Sequence, residues 1–334
     1  MNKLYPLLFT PVLKDYVWGG RNLADKLGRE LPAGIIAESW EVAAHPDGAS
    51  VVANGAYAGR TLSELQAELG LALSGSRSAW AEERGKFPLL VKLLDANQNL
   101  SVQVHPDDDY AQVHEGNELG KTEMWVVLHA EPGACVQLGV KAGTEPAAFR
   151  QAIADGQLEP FLHYIPVKSG DFVDVPAGSL HAIMGGLLIA EIQQNSNTTY
   201  RVYDWNRLGH DGQPRPLHVD KAIDVINFDQ VEPTLPTAEL IEEGNGWQRW
   251  RLVQNRYFTV ERLELAAGSA FTGRCDGETF EIWGLLDGRA AVQADGTETE
   301  LAAVNFTLLP AAMGQFVIQA YEDCHFLRSY VDAV

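Results

Sequence analysis

The chain has 334 residues, 46% of them hydrophobic, which is enough to bury a sizeable core in one large domain or two ordinary ones. Its formal net charge of −20 disfavours nucleic acids and anionic membranes as partners, because both need a basic surface, and an anionic small molecule would need a local cluster of cations. The three cysteines, Cys135, Cys275 and Cys324, are too few and too scattered for a disulfide framework and indicate a reducing compartment.

The opening segment, MNKLYPLLFTPVLKDYVWGG, contains a short apolar stretch that two prolines interrupt. It lacks the long apolar run and the small-residue cleavage site of a signal peptide. No segment approaches the roughly 18 uninterrupted apolar residues that span a bilayer. We therefore expect a cytoplasmic protein that does not associate with membranes.

Up to about residue 230, apolar and polar residues mostly alternate in short runs, as in LSVQVH, EMWVVLHA and LLIAEIQQNS. Runs of this kind, bounded by Gly, Pro, Asn or Asp, are typical of strands in a β-sandwich or barrel. Three segments have helical signals instead. Thr61-x-x-Glu64 is a capping box in front of a leucine stripe. Residues 144–156 offer Thr144 as an N-cap, and a third helix is expected near residue 220.

The composition changes near residue 230, where DQVEPTLPTAELIEEGNG is rich in Pro, Glu and Gly. Short strands then resume, and the pair Asp287-Gly288 predicts the turn of a β-hairpin. FTLLPAAMGQFVI in this second part is similar to DFVDVPAGSLHAI in the first. We therefore predict two jelly-roll domains, residues 1–230 and 235–334. The second has no His at the matching place, near Phe316, so a metal site would belong to the first.

Chemically active side chains fall on several predicted strands of the first domain. Because alternate residues of a strand share a face, Gln103 and His105 lie on the same side of one strand. Lys121 and Glu123 share a face of another strand for the same reason. A Pro-x-Gly turn delivers His181 to the start of a third strand.

Two His and one Glu, with Gln103 as a candidate fourth ligand, form a reasonable zinc site, since zinc accepts imidazole nitrogen and carboxylate oxygen in tetrahedral geometry. Iron, manganese or cobalt would accept the same donors. A lone His on a strand is more often a satisfied structural residue, and a lone Glu is more often a solvated charge. The spacing by itself therefore leaves a metal site and a structural role both open.

Four ordered motifs, NLSVQVHPDD, GKTEMW, VPAGSLHAI and QQNSNTTYRVYDWNR, resemble those of type I phosphomannose isomerases. The segments KDYVWGGRNL and AESWEVAAHPDG are also similar to that family, and the resemblance runs from about Leu7 to about Phe228. The length resembles that of the compact bacterial members. The resemblance implies a mainly β fold of two cupin-like jelly rolls, or double-stranded β-helices, with a few inserted α-helices.

The resemblance also implies a site, because the family is a zinc-dependent aldose–ketose isomerase. One Zn²⁺ per chain would be bound by the matching residues His105, Glu123, His181 and Gln103. The family's catalytic arginine matches Arg201. Its pocket residues match Ser101, Lys92, Lys121, Glu38 and Glu191. Two positions depart from the larger relatives, which carry a Tyr at the position of Ile183 and a Lys near Arg207.

The implied reaction interconverts mannose 6-phosphate and fructose 6-phosphate by moving a proton between C1 and C2 through an enediolate. The cation would polarise the substrate oxygens, and Arg201 would add a fixed positive charge. Glu191 is the preferred base, with Lys121 and a metal-bound water as alternatives. The candidates for binding the phosphate are Ser101, Lys92 and Arg207.

Other functions are compatible with parts of the pattern. The same scaffold could carry an isomerase of another sugar or sugar phosphate, or an oxygenase with a redox metal. A non-catalytic sugar-phosphate-binding cupin could keep the pocket, whereas a purely structural β-sandwich would give the three ligands no reason to converge. We expect a small-molecule sugar phosphate as the partner, and a monomer or weak homo-oligomer as the assembly.

Overall fold

The computed structural model describes residues 3–208 and 212–333 and is mainly β, which confirms the predicted fold class. The first strands in chain order are β1 (Leu7–Thr10), β2 (Val12–Lys14), β3 (Glu38–Val42), β4 (Ala44–His45), β5 (Gly48–Ala49), β6 (Val51–Val52), β7 (Leu89–Ala96), β8 (Val102–Val104), β9 (Glu123–Ala130), β10 (Cys135–Val140), β11 (Leu162–Pro166), β12 (Phe172–Val175), β13 (His181–Ile183), β14 (Leu187–Gln194) and β15 (Tyr200–Tyr203). The strands that follow are β16 (Glu239–Gly244), β17 (Trp247–Gln254), β18 (Thr259–Leu265), β19 (Ala270–Cys275), β20 (Glu281–Asp287), β21 (Arg289–Ala294), β22 (Thr297–Ala302), β23 (Asn305–Leu309), β24 (Gly314–Ala320) and β25 (Cys324–Tyr330).

The α-helices are short and lie between strands. They are α1 (Asn22–Asp25), α2 (Leu62–Leu69), α3 (Leu71–Ser74), α4 (Ala79–Glu82), α5 (Asp108–His114), α6 (Pro146–Ala154) and α7 (Val219–Val225). Over residues 3–208 and 212–333, none of them has the length and apolar character that crossing a bilayer requires.

Two of the predicted helix starts can be compared with the structure. The capping box of α2 is confirmed, because Thr61 Oγ1 accepts from the backbone N–H of Glu64 while the Glu64 carboxylate accepts from that of Thr61. The predicted N-cap of α6 is wrong. That helix begins at Pro146 after Glu145, and the Thr144 hydroxyl instead donates to the carbonyl of Lys141, which closes the preceding turn.

The chain divides into two compact units. Unit I consists of Leu13–Ser39 and Lys92–Pro236, and unit II consists of Met1–Val12, Trp40–Val91 and Thr237–Val334. Residues 1–12 and 40–91, which the predicted boundaries assign to the first jelly roll, therefore group with the C-terminal strands. Strand pairing is the physical reason, since β1 pairs antiparallel with β23 and places Leu7 opposite Leu308.

Unit I contains a five-stranded sheet and most of a six-stranded sheet. Their strand orders are β11-β10-β13-β8-β15 and β12-β9-β14-β7-β3-β2. The inward residues of both sheets form one apolar core, which includes Trp125, Val127, Val173 and Ile189 from one sheet and Val136, Leu138 and Ile183 from the other. Two facing antiparallel sheets with a shared core form the jelly roll that the alternating pattern predicts.

Unit II repeats this plan with an eight-stranded sheet, in the order β16-β17-β18-β25-β20-β23-β1-β6, and a four-stranded sheet, in the order β19-β24-β21-β22. Its core again takes side chains from both sheets, including Leu263, Trp283 and Phe326 from the first and Phe271, Phe316 and Ile318 from the second.

The predicted hairpin at Asp287-Gly288 is wrong. Strands β20 and β21 belong to different sheets of unit II, so Gly288, at φ 90°, turns the chain from one sheet to the other. A side chain there would bring its Cβ within 2.3 Å of the Asp323 carbonyl oxygen. The actual hairpin pairs β21 with β22, and its turn residues Asp295 and Gly296 both have positive φ, as a type I′ turn requires.

Candidate metal centre

Unit I brings together the three residues that the sequence suggests as metal ligands. His105 directly follows β8, Glu123 opens β9 and His181 opens β13. Strands β8 and β13 are paired, with Gln103 directly opposite His181. The turn before His181 is fixed by Gly178, at φ 86°, whose N–H donates to the His105 carbonyl over 2.8 Å. The topology therefore forces the two imidazoles into proximity.

The side chains of His105, Glu123 and His181 are fully buried and converge. One nitrogen or oxygen atom from each lies within 4.8 Å of the other two. Glu123 Oε1 lies 3.2 Å from His105 Nε2, and Glu123 Oε2 lies 3.6 Å from His181 Nε2. Among the described residues, no other set of three or more His, Cys, Asp or Glu side chains comes together in this way.

The donor atoms fit a divalent cation. Both ring nitrogens of His105 are buried without a hydrogen-bond partner, which is rare in folded proteins. His181 donates from Nδ1 to the Ser179 carbonyl over 2.9 Å, so its Nε2 carries the lone pair that could bind a metal ion. Two imidazole nitrogens and a carboxylate oxygen are the donors of many catalytic zinc sites, which also keep a position open.

The electrostatics hold these side chains in the protonation states that bind metal. Burial, together with the charge of Lys121, lowers the pKa of His105 to about 3, and burial also lowers the pKa of His181. Burial would raise the pKa of Glu123, but Lys121 and His105 outweigh it and hold the pKa well below its ordinary value. Near neutral pH the group therefore presents two neutral imidazoles and one carboxylate.

Gln103 joins this group to Arg201. As placed, the amide nitrogen of Gln103 lies 3.2 Å from His181 Nε2, so the amide donates to the imidazole. Ser101 Oγ donates to Gln103 Oε1 over 3.5 Å and accepts from Arg201 Nε over 3.3 Å. A second nitrogen of Arg201 donates to the carbonyl of Pro216. A chain of hydrogen bonds therefore orients the guanidinium relative to the imidazole.

A second set of buried charges surrounds Glu191. Its Oε1 lies 3.2 Å from Lys92 Nζ, and Lys92 lies 3.8 Å from Glu38. Burial raises the pKa of Glu191 and the nearby Glu123 carboxylate adds to this effect, while Lys92 opposes it. For Lys92, burial would lower the pKa, but Glu191 and Glu38 reverse that effect and raise it. The result is a carboxylate of raised pKa held beside a permanent ammonium.

These groups line a cavity of about 280 Å³ in unit I. Four cationic side chains and two acidic ones face it, namely Lys92, Lys121, Arg201, Arg215, Glu38 and Glu191. Ser101, Gln103 and Ile183 line it as well. In a chain with a net charge of −20, this is the local cluster of cations that an anionic small molecule needs.

The arginines that line the cavity differ from those expected from the sequence. Arg207 is not among the described residues that line the cavity, and its guanidinium donates to Asp204 and to the carbonyl of Asn99. Arg215, which sequence reasoning missed, also pairs with Asp204 but does line the cavity. Asn197 and Thr199 were missed too, because they lie in the loop between β14 and β15, where a strand period does not apply.

Comparison with known proteins decides the family. The family model for the catalytic domain of type I phosphomannose isomerase matches residues 7–122. The probable mannose-6-phosphate isomerase GmuF of Bacillus subtilis is 40% identical over 327 residues, which cover 98% of this chain and 99% of that protein. The chain belongs to the type I phosphomannose isomerase family.

Solved structures of the family agree with this fold. The crystal structure of the mannose 6-phosphate isomerase from Bacillus subtilis matches with a TM-score of 0.86 and 36% identity, covering 97% of this chain and 99% of that one. A zinc-bound mannose 6-phosphate isomerase matches with a TM-score of 0.77 over 98% of this chain and 100% of that one. At 16% identity, this second likeness shows the shared fold.

Unit II has positions that correspond to those of the metal centre but different chemistry. Glu281 and Trp283 on β20 repeat the Glu-x-Trp spacing of Glu123 and Trp125 on β9. Trp125 lies opposite Glu191 in its sheet, whereas Trp283 lies opposite Arg328.

In unit II an arginine neutralises the buried carboxylates near Trp283, and the described residues there include no metal-ligand set. Arg328 donates to Glu281 and Glu261, and all three side chains are largely buried. Phe316, which lies opposite Gly273, packs near Trp283 as His181 packs near Trp125. The expectation of a metal site in the first jelly roll agrees with this arrangement.

Proposed function

We propose that this chain is a metal-dependent aldose–ketose isomerase that interconverts mannose 6-phosphate and fructose 6-phosphate. The observation that carries the proposal is the buried His105, Glu123 and His181 group adjoining a cavity whose charged lining residues are mainly cationic. Lys121 connects the two features, since it lines the cavity and lies 2.9 Å from Glu123 Oε1. Full-length similarity to a probable mannose-6-phosphate isomerase supports the same activity.

One Zn²⁺ per chain would be held by His105, Glu123 and His181, with Gln103 as the candidate fourth ligand. When bound, the ion supplies Lewis-acid polarisation of the substrate oxygens and so stabilises negative charge on them. The residues around the ion orient its ligands. The amide of Gln103 donates to His181, and a rotation of that amide would present its oxygen instead.

Glu191 is the proposed base. Its carboxylate lines the cavity, and burial raises its pKa toward the range where a carboxylate can both take up and release a proton. It would remove the proton from C2 of the aldose, leaving an enediolate, and return the proton to C1. Lys121 is the weaker candidate, because its ammonium is paired with Glu123 and so has no lone pair to accept a proton.

Arg201 and Arg215 would hold the anionic parts of the substrate. Arg201 keeps its charge at every relevant pH and faces the cavity next to Ser101, where it can stabilise an enediolate oxygen. Arg215 lines the same cavity, whereas Arg207 does not, so Arg215 is the cation that we assign to the phosphate. Both guanidiniums match the geometry of oxyanions.

A coupled assay on the purified protein tests the proposal. Mannose 6-phosphate should be converted to fructose 6-phosphate, metal analysis should find close to one zinc per chain, and a chelator should abolish turnover until zinc is added back. Unphosphorylated mannose is the control substrate and should turn over poorly. Full activity in the metal-free protein would refute the proposal.

A further inference from the structure

Trp125 touches three members of the site at once. Its indole Nε1 lies 3.2 Å from Glu123 Oε2 and 3.2 Å from Glu191 Oε2, so one N–H is shared by two carboxylates. Its ring packs edge-on against the His181 imidazole, with centroids 5.4 Å apart. The side chain is 1% exposed and lines the cavity.

The backbone fixes this placement. Trp125 follows Glu123 by two residues on β9, so the two side chains share a face. On the neighbouring strand β14, Glu191 lies directly opposite Trp125. The indole is therefore the group that the sheet register places between the two carboxylates.

The four carboxylate oxygens are divided between different partners. Lys121 pairs with Oε1 of Glu123 and Lys92 pairs with Oε1 of Glu191. The Oε2 atoms of both carboxylates share the indole N–H. Buried like charges repel strongly, so without this proton the two Oε2 atoms would lose a common donor and the carboxylates would move apart.

We propose that Trp125 is a positioning residue whose single indole N–H fixes the spacing between the ligand carboxylate Glu123 and the base carboxylate Glu191. Metal binding and proton transfer then depend on one shared hydrogen bond. The inference rests on the proposed function, because it assigns those two roles to the two carboxylates.

Unit II provides a matched control. Trp283 has the same Glu-x-Trp spacing, is also fully buried, and donates from Nε1 to Glu281 Oε2 over 2.7 Å. Its cross-strand neighbour is Arg328, and the group around it has no metal-binding set among the described residues. Trp283→Phe removes an equivalent hydrogen bond and the same ring volume without touching the metal centre.

The first experiment compares Trp125→Phe with Trp283→Phe. We expect Trp125→Phe to weaken zinc binding in a chelator competition by roughly 10- to 100-fold, the range seen when partners of metal ligands are removed. At saturating zinc, kcat should still fall by about 10-fold or more while KM changes little, because Glu191 has lost its donor. Trp283→Phe should change neither zinc affinity nor kcat. Equal behaviour of the two variants would overturn the proposal.

A second experiment retains the N–H and so does not depend on how well a variant folds. 5-Fluorotryptophan is placed at position 125 alone, or at position 283 alone, and the ¹⁹F resonance is followed as zinc is added. The signal from position 125 should shift and reach a plateau at one zinc per chain, while the signal from position 283 stays unchanged. A static signal at position 125 in a zinc-bound protein would contradict the coupling.

These outcomes separate the inference from the proposed function. If the unmodified protein binds no zinc or does not isomerise mannose 6-phosphate, the proposed function fails before any variant is compared. If the unmodified protein does both and Trp125→Phe does so equally well, only the positioning role fails.

Discussion

His181 has two distinct nitrogens with different partners. Nδ1 donates to the Ser179 carbonyl, so the ring cannot turn without losing that bond, and Nε2 faces Glu123. His129, by contrast, lies at a partly exposed position beside Glu131. This difference between two histidines of unit I provides a direct test of the ligand assignment.

His181→Ala should lose bound zinc and isomerase activity together, because the remaining donors cannot complete the site. His129→Ala is the control and should retain both. Metal content by elemental analysis and turnover by the coupled assay are measured on the same preparations. A His181→Ala protein that keeps full zinc content would refute the ligand role.

Arg201→Ala should keep its zinc but lose about 100-fold in kcat, because it removes a charge that acts on the substrate oxyanion. The expected change in KM is smaller, since the charge matters most in the transition state. Steady-state kinetics at saturating zinc provide the check. Normal turnover in this variant would exclude the role we assign to Arg201.

Asp174, which lies directly opposite Met124 on the neighbouring strand, provides a test by pH. Burial raises the pKa of Asp174 to about 6. Between about pH 4 and pH 6 the carboxyl is therefore protonated in the folded state and ionised in the unfolded chain. Stability is therefore lost as the pH rises through this window. Asp174→Asn should be more stable than the parent by about 1–2 kcal/mol at pH 7.5 and equally stable near pH 4. Urea unfolding at the two pH values measures the difference.

Sequence reasoning selected site residues well where they lie on strands and less well where they lie in loops. His105, Glu123 and His181 stand at strand ends, where a period of two gives the side-chain direction, and the structure brings them together. Arg207 and Arg215 lie beyond β15, where no periodicity indicates which guanidinium turns inward. Asp204 binds both, and only the folded loop shows that Arg215 reaches the cavity.

At the scale of elements, local signals were sufficient only where the local chemistry decides the outcome. The capping box at Thr61 satisfies two backbone donors within four residues and needs no tertiary contact. The pair Asp287-Gly288 has the composition of a hairpin, yet β20 and β21 join different sheets. Which partner a strand takes depends on the whole jelly roll, and the turn sequence does not encode it.

Thr61→Ala should destabilise the protein by about 1 kcal/mol, because the backbone N–H of Glu64 loses its side-chain acceptor. Thr61→Ser retains the hydroxyl and should stay close to the parent. Chemical denaturation of the three proteins at one pH measures the free energies of unfolding. Equal stability of the Ala variant and the parent would mean that the cap contributes nothing measurable.

At the scale of the whole molecule, two jelly rolls balance buried charge in different ways. Unit I places Glu123 among imidazoles and Lys121, in a set suited to a metal ion. Unit II places Glu261 and Glu281 around Arg328, whose guanidinium donates to both carboxylates. The sequence predicted the shared fold and shows that no His lies near Phe316. It did not predict this ion network, because the members of the network come from distant strands.

Arg328→Leu should cost about 3–5 kcal/mol of stability, because it leaves two buried carboxylates without their cation. Arg289→Leu is the matched control, since Arg289 forms an exposed pair with Glu322 and its loss should cost less than about 1 kcal/mol. Both losses should be the same with zinc and with chelator. A small effect of Arg328→Leu, equal to that of the control, would refute this account of the network.

The guanidinium of Arg328 is covalently part of the polypeptide, whereas a metal ion in unit I would bind reversibly, at an occupancy set by its concentration. Metal shortage would therefore abolish activity, while Arg328 would still neutralise the buried carboxylates of unit II. Restoring activity would then require only reloading of one centre, without renewed synthesis of the protein.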